Sequence, residues 1–237
     1  MPAHQNEHSD FEALVETVAG RLHDACERAL EERGAAALAL AGGSTPMPVY
    51  ARLARSKLDW PRVTLLPGDE RWVAHGDPAC NLTAIRAAFG EVPARFESLT
   101  PANAGGEPDP ATALNTARTA LARIGRPFDA CLLGMGGDGH FASLFPGAPE
   151  LATALDPASA EPLAVVRPDP LPPEAPYARI SLTLSAIAAG RELLLVIRGD
   201  DKRQALERAM QSSDPNQYPI AALLEHAGDR LEIHWSP

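Results

Sequence analysis

Aromatic side chains are scarce in this chain of 237 residues, at 5% of the sequence. Any core it builds is aliphatic, and the 45% hydrophobic content is enough for one substantial core, so a single domain over residues 1–237 is expected. Cysteine occurs three times, as Cys26, Cys80 and Cys131, with no C-x-x-C pair. That spacing supports neither a disulfide framework nor a zinc site, and reduced thiols are the simpler account. No run of basic residues offsets the net charge of −10, which argues against nucleic acid or an anionic membrane as partner. Apolar runs such as Ala35 to Ala41 are too short to span a bilayer. The N-terminus, MPAHQNEHSDFEAL, is acidic and polar where a signal peptide would be basic and then apolar, so a cytoplasmic protein is expected. Three catalytic signatures are also absent. Without G-x-x-x-x-G-K-[ST] the Gly42–Thr45 turn is not a nucleotide P-loop and ATP or GTP is not its natural ligand, and without H-E-x-x-H no metalloprotease site is expected. Lacking a G-x-S-x-G elbow, Ser143 reads as a packing or capping residue.

What the chain has instead is glycine in one place. Residues 128–147 read FDACLLGMGGDGHFASLFPG, an apolar strand that empties into Gly134, Gly136, Gly137 and Gly139 with Asp138 and His140 among them. A strand-to-helix turn needs one or two glycines, so this cluster points to a site where a ligand approaches the backbone closely. A carboxylate and an imidazole two residues apart supply acid–base chemistry in the same loop, and the neighbours of His140 can hold it as a neutral base.

Around that loop the sequence alternates helical and strand patterns. Phe11, Leu14, Val15, Val18, Leu22, Cys26 and Leu30 recur at spacings of three and four, predicting an amphipathic helix closed by Gly34. A strand over 35–41 leads through Gly42-Gly43-Ser44-Thr45 to a helix over 47–56, with Pro46 near its first turn. A strand over 62–66 is followed by a polar loop over 67–80 and a helix from Asn81 that ends before Gly90. Asp109 and Pro110 predict the N-cap and first position of a helix through Ile124. Further strands are expected over 128–133, 163–166, 179–183 and 193–197, with a short helix after 183 and a longer one over 201–210. The proline-rich segment from Pro168 to Pro176 is expected to be a loop that could act as a lid. Such alternation predicts an α/β fold, a mostly parallel sheet covered on both faces. Ligands bind at the carboxyl ends of such strands, where Gly42 to Thr45, Asp69 to Arg71 and Gly134 to His140 all fall.

Gly43, Ser44 and Thr45 offer free N–H groups and two hydroxyls, which suit either a phosphate cradle or a capped turn. The pattern Gly134-x-Gly136-x-x-Gly139 also fits a dinucleotide fingerprint. Pro146 and Pro149 interrupt the helix which that fingerprint should open, and no carboxylate sits at the end of a clear strand about twenty residues on. Arg71, Arg179, Lys202 and Arg203 lie near predicted strand ends or helix starts, where each either neutralises a phosphate or serves as a solvated surface charge.

Taken in order, GGSTP, GDER, GMGGDGHFASLFPG, RISLT and GDDKRQAL resemble the 6-phosphogluconolactonase family, over residues 41–206. The resemblance implies a three-layer, modified Rossmann-like fold of the glucosamine-6-phosphate deaminase type. It also implies hydrolysis of 6-phospho-D-glucono-1,5-lactone without metal or organic cofactor, by a monomer or small homo-oligomer whose partner is the sugar phosphate. By the same resemblance His140, Asp138 and Arg71 are catalytic, while Gly43, Ser44, Thr45, Arg179 and Lys202 hold the sugar phosphate. The related amino-sugar phosphate deaminases typically carry a catalytic glutamate five residues beyond the DGH histidine, where this chain has Phe145, and a tyrosine where it has Arg71. A non-catalytic sugar-phosphate sensor is the other alternative, and such sensors usually carry a DNA-binding module for which this acidic chain has no room. Two departures from the lactonase pattern are Phe141, in place of a common threonine, and Cys80, in place of a common serine.

Overall fold

Every residue of Ala36–Leu40 is buried, the condition of a strand covered on both faces. Successive side chains of a strand point to opposite sides, and here they enter two different cores. Ala36, Leu38 and Leu40 pack with Leu14, Val18 and Tyr50, whereas Ala37 and Ala39 pack with Ala117, Leu121 and Phe128. Cys131 and Leu133 join the second core, and Ala130 and Leu132 the first. The result is a helix–sheet–helix sandwich.

The structure, a computed structural model, describes residues 3–109, 111–125, 127–168 and 176–237. In chain order the elements are β1 (His4–Glu7), α1 (Phe11–Arg33), β2 (Ala36–Leu40), α2 (Met47–Leu53), β3 (Val63–Pro67), β4 (Asp69–Arg71), α3 (Asn81–Phe89), β5 (Arg95–Phe96) and α4 (Asn115–Ile124). They continue with β6 (Ala130–Leu133), α5 (Leu151–Ala154), β7 (Leu163–Val166), β8 (Arg179–Leu182), α6 (Leu184–Ala188), β9 (Glu192–Arg198), α7 (Asp200–Ser212), α8 (Ile220–Ala227) and β10 (Leu231–Ser236). Seven strands form a parallel sheet in the order β1-β10-β9-β6-β2-β3-β5. From β2 the chain winds outward through β3 to β5, and β6, β9 and β10 extend the other edge. The reversal between β2 and β6 opens a crevice at their carboxyl ends. No helix among the described residues is long and apolar enough to cross a membrane.

The structure corrects several expectations. The polar loop over 67–80 contains β4, which pairs antiparallel with β8 in a second sheet of order β4-β8-β7. The strands over 163–166 and 179–183 thus lie outside the parallel sheet. The helix expected from Asp109 begins six residues later, at Asn115. Asp109 instead accepts hydrogen bonds from Ala111 N–H and the Thr112 hydroxyl (2.6 Å to the latter), closing a separate turn. Pro110 and residues 169–175, most of the expected lid, lie outside the described residues. The helix after Pro46 stops at Leu53, three residues early, while α7 extends to Ser212. The sequence reading did not anticipate β1, β5, α5, α8 or β10.

Candidate active site

Loops leaving β2, β3, β6 and β9 close around a cavity of ≈320 Å³ at the reversal point of the sheet. Gly43, Ser44, Thr45, Arg71, His140, Arg179 and Lys202 all line it, so seven of the eight expected site residues meet there. Asp138 stands behind His140, outside the lining.

The imidazole is held from three sides. Its Nδ1 lies 2.6 Å from Asp138 Oδ1, and the same oxygen accepts the His140 backbone N–H at 3.1 Å. Both bonds favour the carboxylate; although burial pushes the other way, Asp138 titrates below its ordinary value. The opposite nitrogen, Nε2, has no hydrogen-bond partner among the described residues. Gly136 forms the second support. A Cβ there would stand 2.1 Å from Nδ1, so the ring rests against bare backbone. Phe145 is the third, its ring centroid 4.1 Å from that of His140. The Arg179 guanidinium lies over the same phenyl ring, with Cζ 4.9 Å from its centroid. One phenylalanine therefore couples the imidazole to a buried arginine.

Facing this loop, Gly43 takes φ 88°, a left-handed conformation that a side chain would oppose. Among the described residues the N–H groups of Gly43, Ser44 and Thr45 donate to no acceptor, as a phosphate cradle would require. The turn is buttressed by Asn81, whose side-chain amide donates to Asp69 O at 2.8 Å and packs directly on Gly42.

The Asp-Glu-Arg strand β4 divides its labour. Asp69 lines the cavity and accepts the hydroxyl proton of the fully buried Ser143, tying β4 to the histidine loop. Ser143 is therefore a tether, as its expected packing role implied. Glu70, 0% exposed, accepts the backbone N–H groups of Arg71, Asn81 and Leu82 at 2.7–2.9 Å. It caps α3 from another strand, and burial raises its pKa despite those bonds. Arg71 donates from Nη1 to Ala79 O at 2.7 Å and faces the cavity.

Arg198 also lines the cavity, beside Arg71, Arg179 and Lys202, so four cations confront the single acidic lining residue Asp69. In a chain of net charge −10 that concentration is a local reversal of sign. Arg179 is 4% exposed. Arg203, weighed earlier with these residues, lies elsewhere: it pairs with Glu7 and Glu207 and packs on Trp235. Sequence reasoning assigned no role to Asp69, Asn81 or Arg198, which line the pocket, nor to Phe145 as a support of the imidazole. Arg198 had a usable signal, its position at the carboxyl end of a strong apolar strand. For Phe145 the sequence carried only the difference from the deaminase glutamate; its contact with Arg179 joins residues far apart in the chain.

Fold and pocket define an α/β protein with a cationic, imidazole-bearing crevice at the switch point of a doubly wound parallel sheet. The chain belongs to the glucosamine-6-phosphate isomerase/6-phosphogluconolactonase family, whose profile matches residues 9–235. It is 36% identical to the 6-phosphogluconolactonase of Rhizobium meliloti over 95% of this chain and 94% of that one. A second relative, the 6-phosphogluconolactonase of Pseudomonas putida, is 36% identical over 98% of this chain and 92% of its own. Among solved structures, a 6-phosphogluconolactonase from Shewanella baltica superposes with a TM-score of 0.89 at 30% identity, covering 99% of this chain and 98% of that one. A monomeric glucosamine-6-phosphate deaminase shares the fold at a TM-score of 0.77 and 20% identity, covering 98% of this chain and 97% of its own.

Proposed function

We propose that this chain hydrolyses 6-phospho-D-glucono-1,5-lactone to 6-phosphogluconate, the lactonase step of the oxidative pentose phosphate pathway. The observation that carries the reading is one imidazole with Nδ1 engaged by Asp138 and Nε2 uncommitted, in a cavity whose other wall is an open N–H turn. In the first step Nε2 takes a proton from water as the hydroxide oxygen bonds to the lactone C1 carbonyl. Asp138 holds the proton-bearing Nδ1 and favours the imidazolium that forms. The tetrahedral oxyanion is stabilised by Arg71. As the oxyanion collapses, the bond from C1 to the ring oxygen breaks and the imidazolium returns its proton to that oxygen. Gly43, Ser44, Thr45, Arg179 and Lys202 hold the phosphate, which fixes C1 against the base.

The deaminase alternative is disfavoured by Phe145, which has no proton to exchange at a place where those relatives use glutamate. The three cysteines are free and buried, in keeping with a reducing cytoplasm. The test follows lactone loss above its spontaneous hydrolysis, with ammonia release from glucosamine 6-phosphate measured in parallel. His140→Ala should lower kcat roughly 10²- to 10⁴-fold. Wild-type turnover in that variant would overturn the base assignment, and ammonia release without lactone loss would overturn the reaction.

A further inference from the structure

The opposite rim of the sheet carries a second cavity, of ≈470 Å³, that the reaction does not use. Arg33, Arg62, Arg95, Arg123 and Arg191 line it, with Asp129 as the only acidic lining residue among the described residues. Their origin gives the cluster its shape. Arg191 precedes β9, Asp129 precedes β6, Arg33 ends the helix that leads into β2, Arg62 precedes β3 and Arg95 opens β5. Those five strands are consecutive neighbours in the sheet. With adjacent strands about 4.8 Å apart, the row spans about 19 Å, and Arg123 of α4 adds a further guanidinium to it.

Arginine near a helix C-terminus often serves the last carbonyls of that helix. Here Gly34 N–H takes Leu30 O and Gly125 N–H takes Leu121 O, and among the described residues no hydrogen bond from the five arginines ends on a helix carbonyl. Internal ion pairing absorbs only part of the charge. Asp129, its side chain 8% exposed, accepts Ala37 N–H and Arg33 Nη2 and lies 3.6 Å from Arg191. Arg33 also meets the exposed Glu32. Arg62 and Arg123 each reach one outlying carboxylate, Asp59 at 3.7 Å and Glu97 at 3.4 Å, and the arginine of each pair is more than half exposed. Such pairs hold weakly. The Arg95 side chain makes no ion pair or hydrogen bond among the described residues, and the residue stands beside Thr64 in the sheet register.

We propose that this rim binds a linear polyphosphate, either free or as the phosphate tail of a nucleotide. Guanidinium groups grip phosphate oxygens in bidentate fashion, and a row of them about 19 Å long matches an extended chain of phosphates better than one isolated phosphate. The site is separate from the pocket at the carboxyl ends of the strands and does not depend on the lactonase assignment.

The test is calorimetric titration of inorganic tripolyphosphate, and in a second arm ATP, into the full chain at low ionic strength. Wild type, Arg62→Ala/Arg95→Ala and Lys202→Ala are compared, the last removing a cation of the other pocket. Binding should weaken about tenfold or more in the arginine double variant, stay within about twofold in Lys202→Ala, and fall as salt rises. Equal affinity for both probes assigns recognition to the phosphate chain alone, and tighter ATP assigns it to a nucleotide; either supports the site. Absence of heat with millimolar tripolyphosphate overturns it, as does binding lost in Lys202→Ala but kept in the double variant. Both replaced side chains are exposed, so folding should persist, and matched melting temperatures check this. Arg95→Gln alone should shift affinity in the same direction.

Discussion

Replacing Gly136 by alanine tests how closely the imidazole depends on bare backbone. The new methyl would be placed 2.1 Å from His140 Nδ1, 2.2 Å from Cε1 and 2.5 Å from Asp138 Oδ1. Ordinary contact between such atoms needs about 3.5 Å, so the ring must retreat by more than about 1 Å or break its bond to Asp138. A misplacement of that size at a reacting group costs on the order of 100-fold, or about 2.7 kcal/mol of barrier. Gly136 has no positive φ, so the backbone accepts alanine and stability should change little. Steady-state lactonase assays should therefore show kcat about 100-fold down, with KM nearly unchanged because the Gly43–Thr45 turn is untouched. Gly137→Ala is the control, since its methyl meets nothing nearer than Lys202 Nζ at 3.9 Å. If Gly136→Ala keeps more than about half of wild-type kcat, the ring does not need the position described and the argument from close approach fails.

Three further outcomes follow from the same structure. Phe145→Leu removes both the imidazole stack and the platform under Arg179, contacts worth about 0.5–1.5 kcal/mol each, so kcat/KM should fall roughly tenfold; an unchanged value would show that neither group needs the ring. Glu70→Ala strands the N–H groups of Asn81 and Leu82 at the start of α3 and of Arg71 on β4, a loss of about 3 kcal/mol or more that should lower Tm by about 10 °C, read by calorimetry. His234 on β10 is driven down to about 4, chiefly by burial and then by the neighbouring His8 ring, while Glu232 acts in the opposite direction. Its neutral form is the folded one, so its contribution is complete above about pH 6.5 and is lost as pH falls towards 4, where the folded state also takes the proton; the loss is on the order of 3 kcal/mol. Urea midpoints should fall more steeply over that window in wild type than in His234→Gln, and parallel slopes would refute the assignment.

The site was more legible than the fold around it, for a physical reason. Phosphate-type turns and acid–base loops are local: Gly43, Ser44 and Thr45 are adjacent, and Asp138 and His140 share one turn, so short-range patterns carry them. Elements β4 and β10 were missed because their stability is non-local. β4 is three polar residues that become a strand only through pairing with β8, more than a hundred positions away. The start of α4 failed for the opposite reason, as the local cap at Asp109 closed a turn of its own before the helix began.

Sequence by itself determined the alternation of apolar strands with amphipathic helices and the glycine-rich turns that carry Gly43, Ser44, Thr45 and His140, because those patterns act over a few residues; Arg71, Arg179 and Lys202 were singled out through the family resemblance. Tertiary structure alone decided that Phe145 bridges His140 and Arg179, that Glu70 caps a helix while Asp69 faces the cavity, and that five arginines far apart in the chain meet on the far rim. Those relations depend on distances between segments that only the packed sheet brings together.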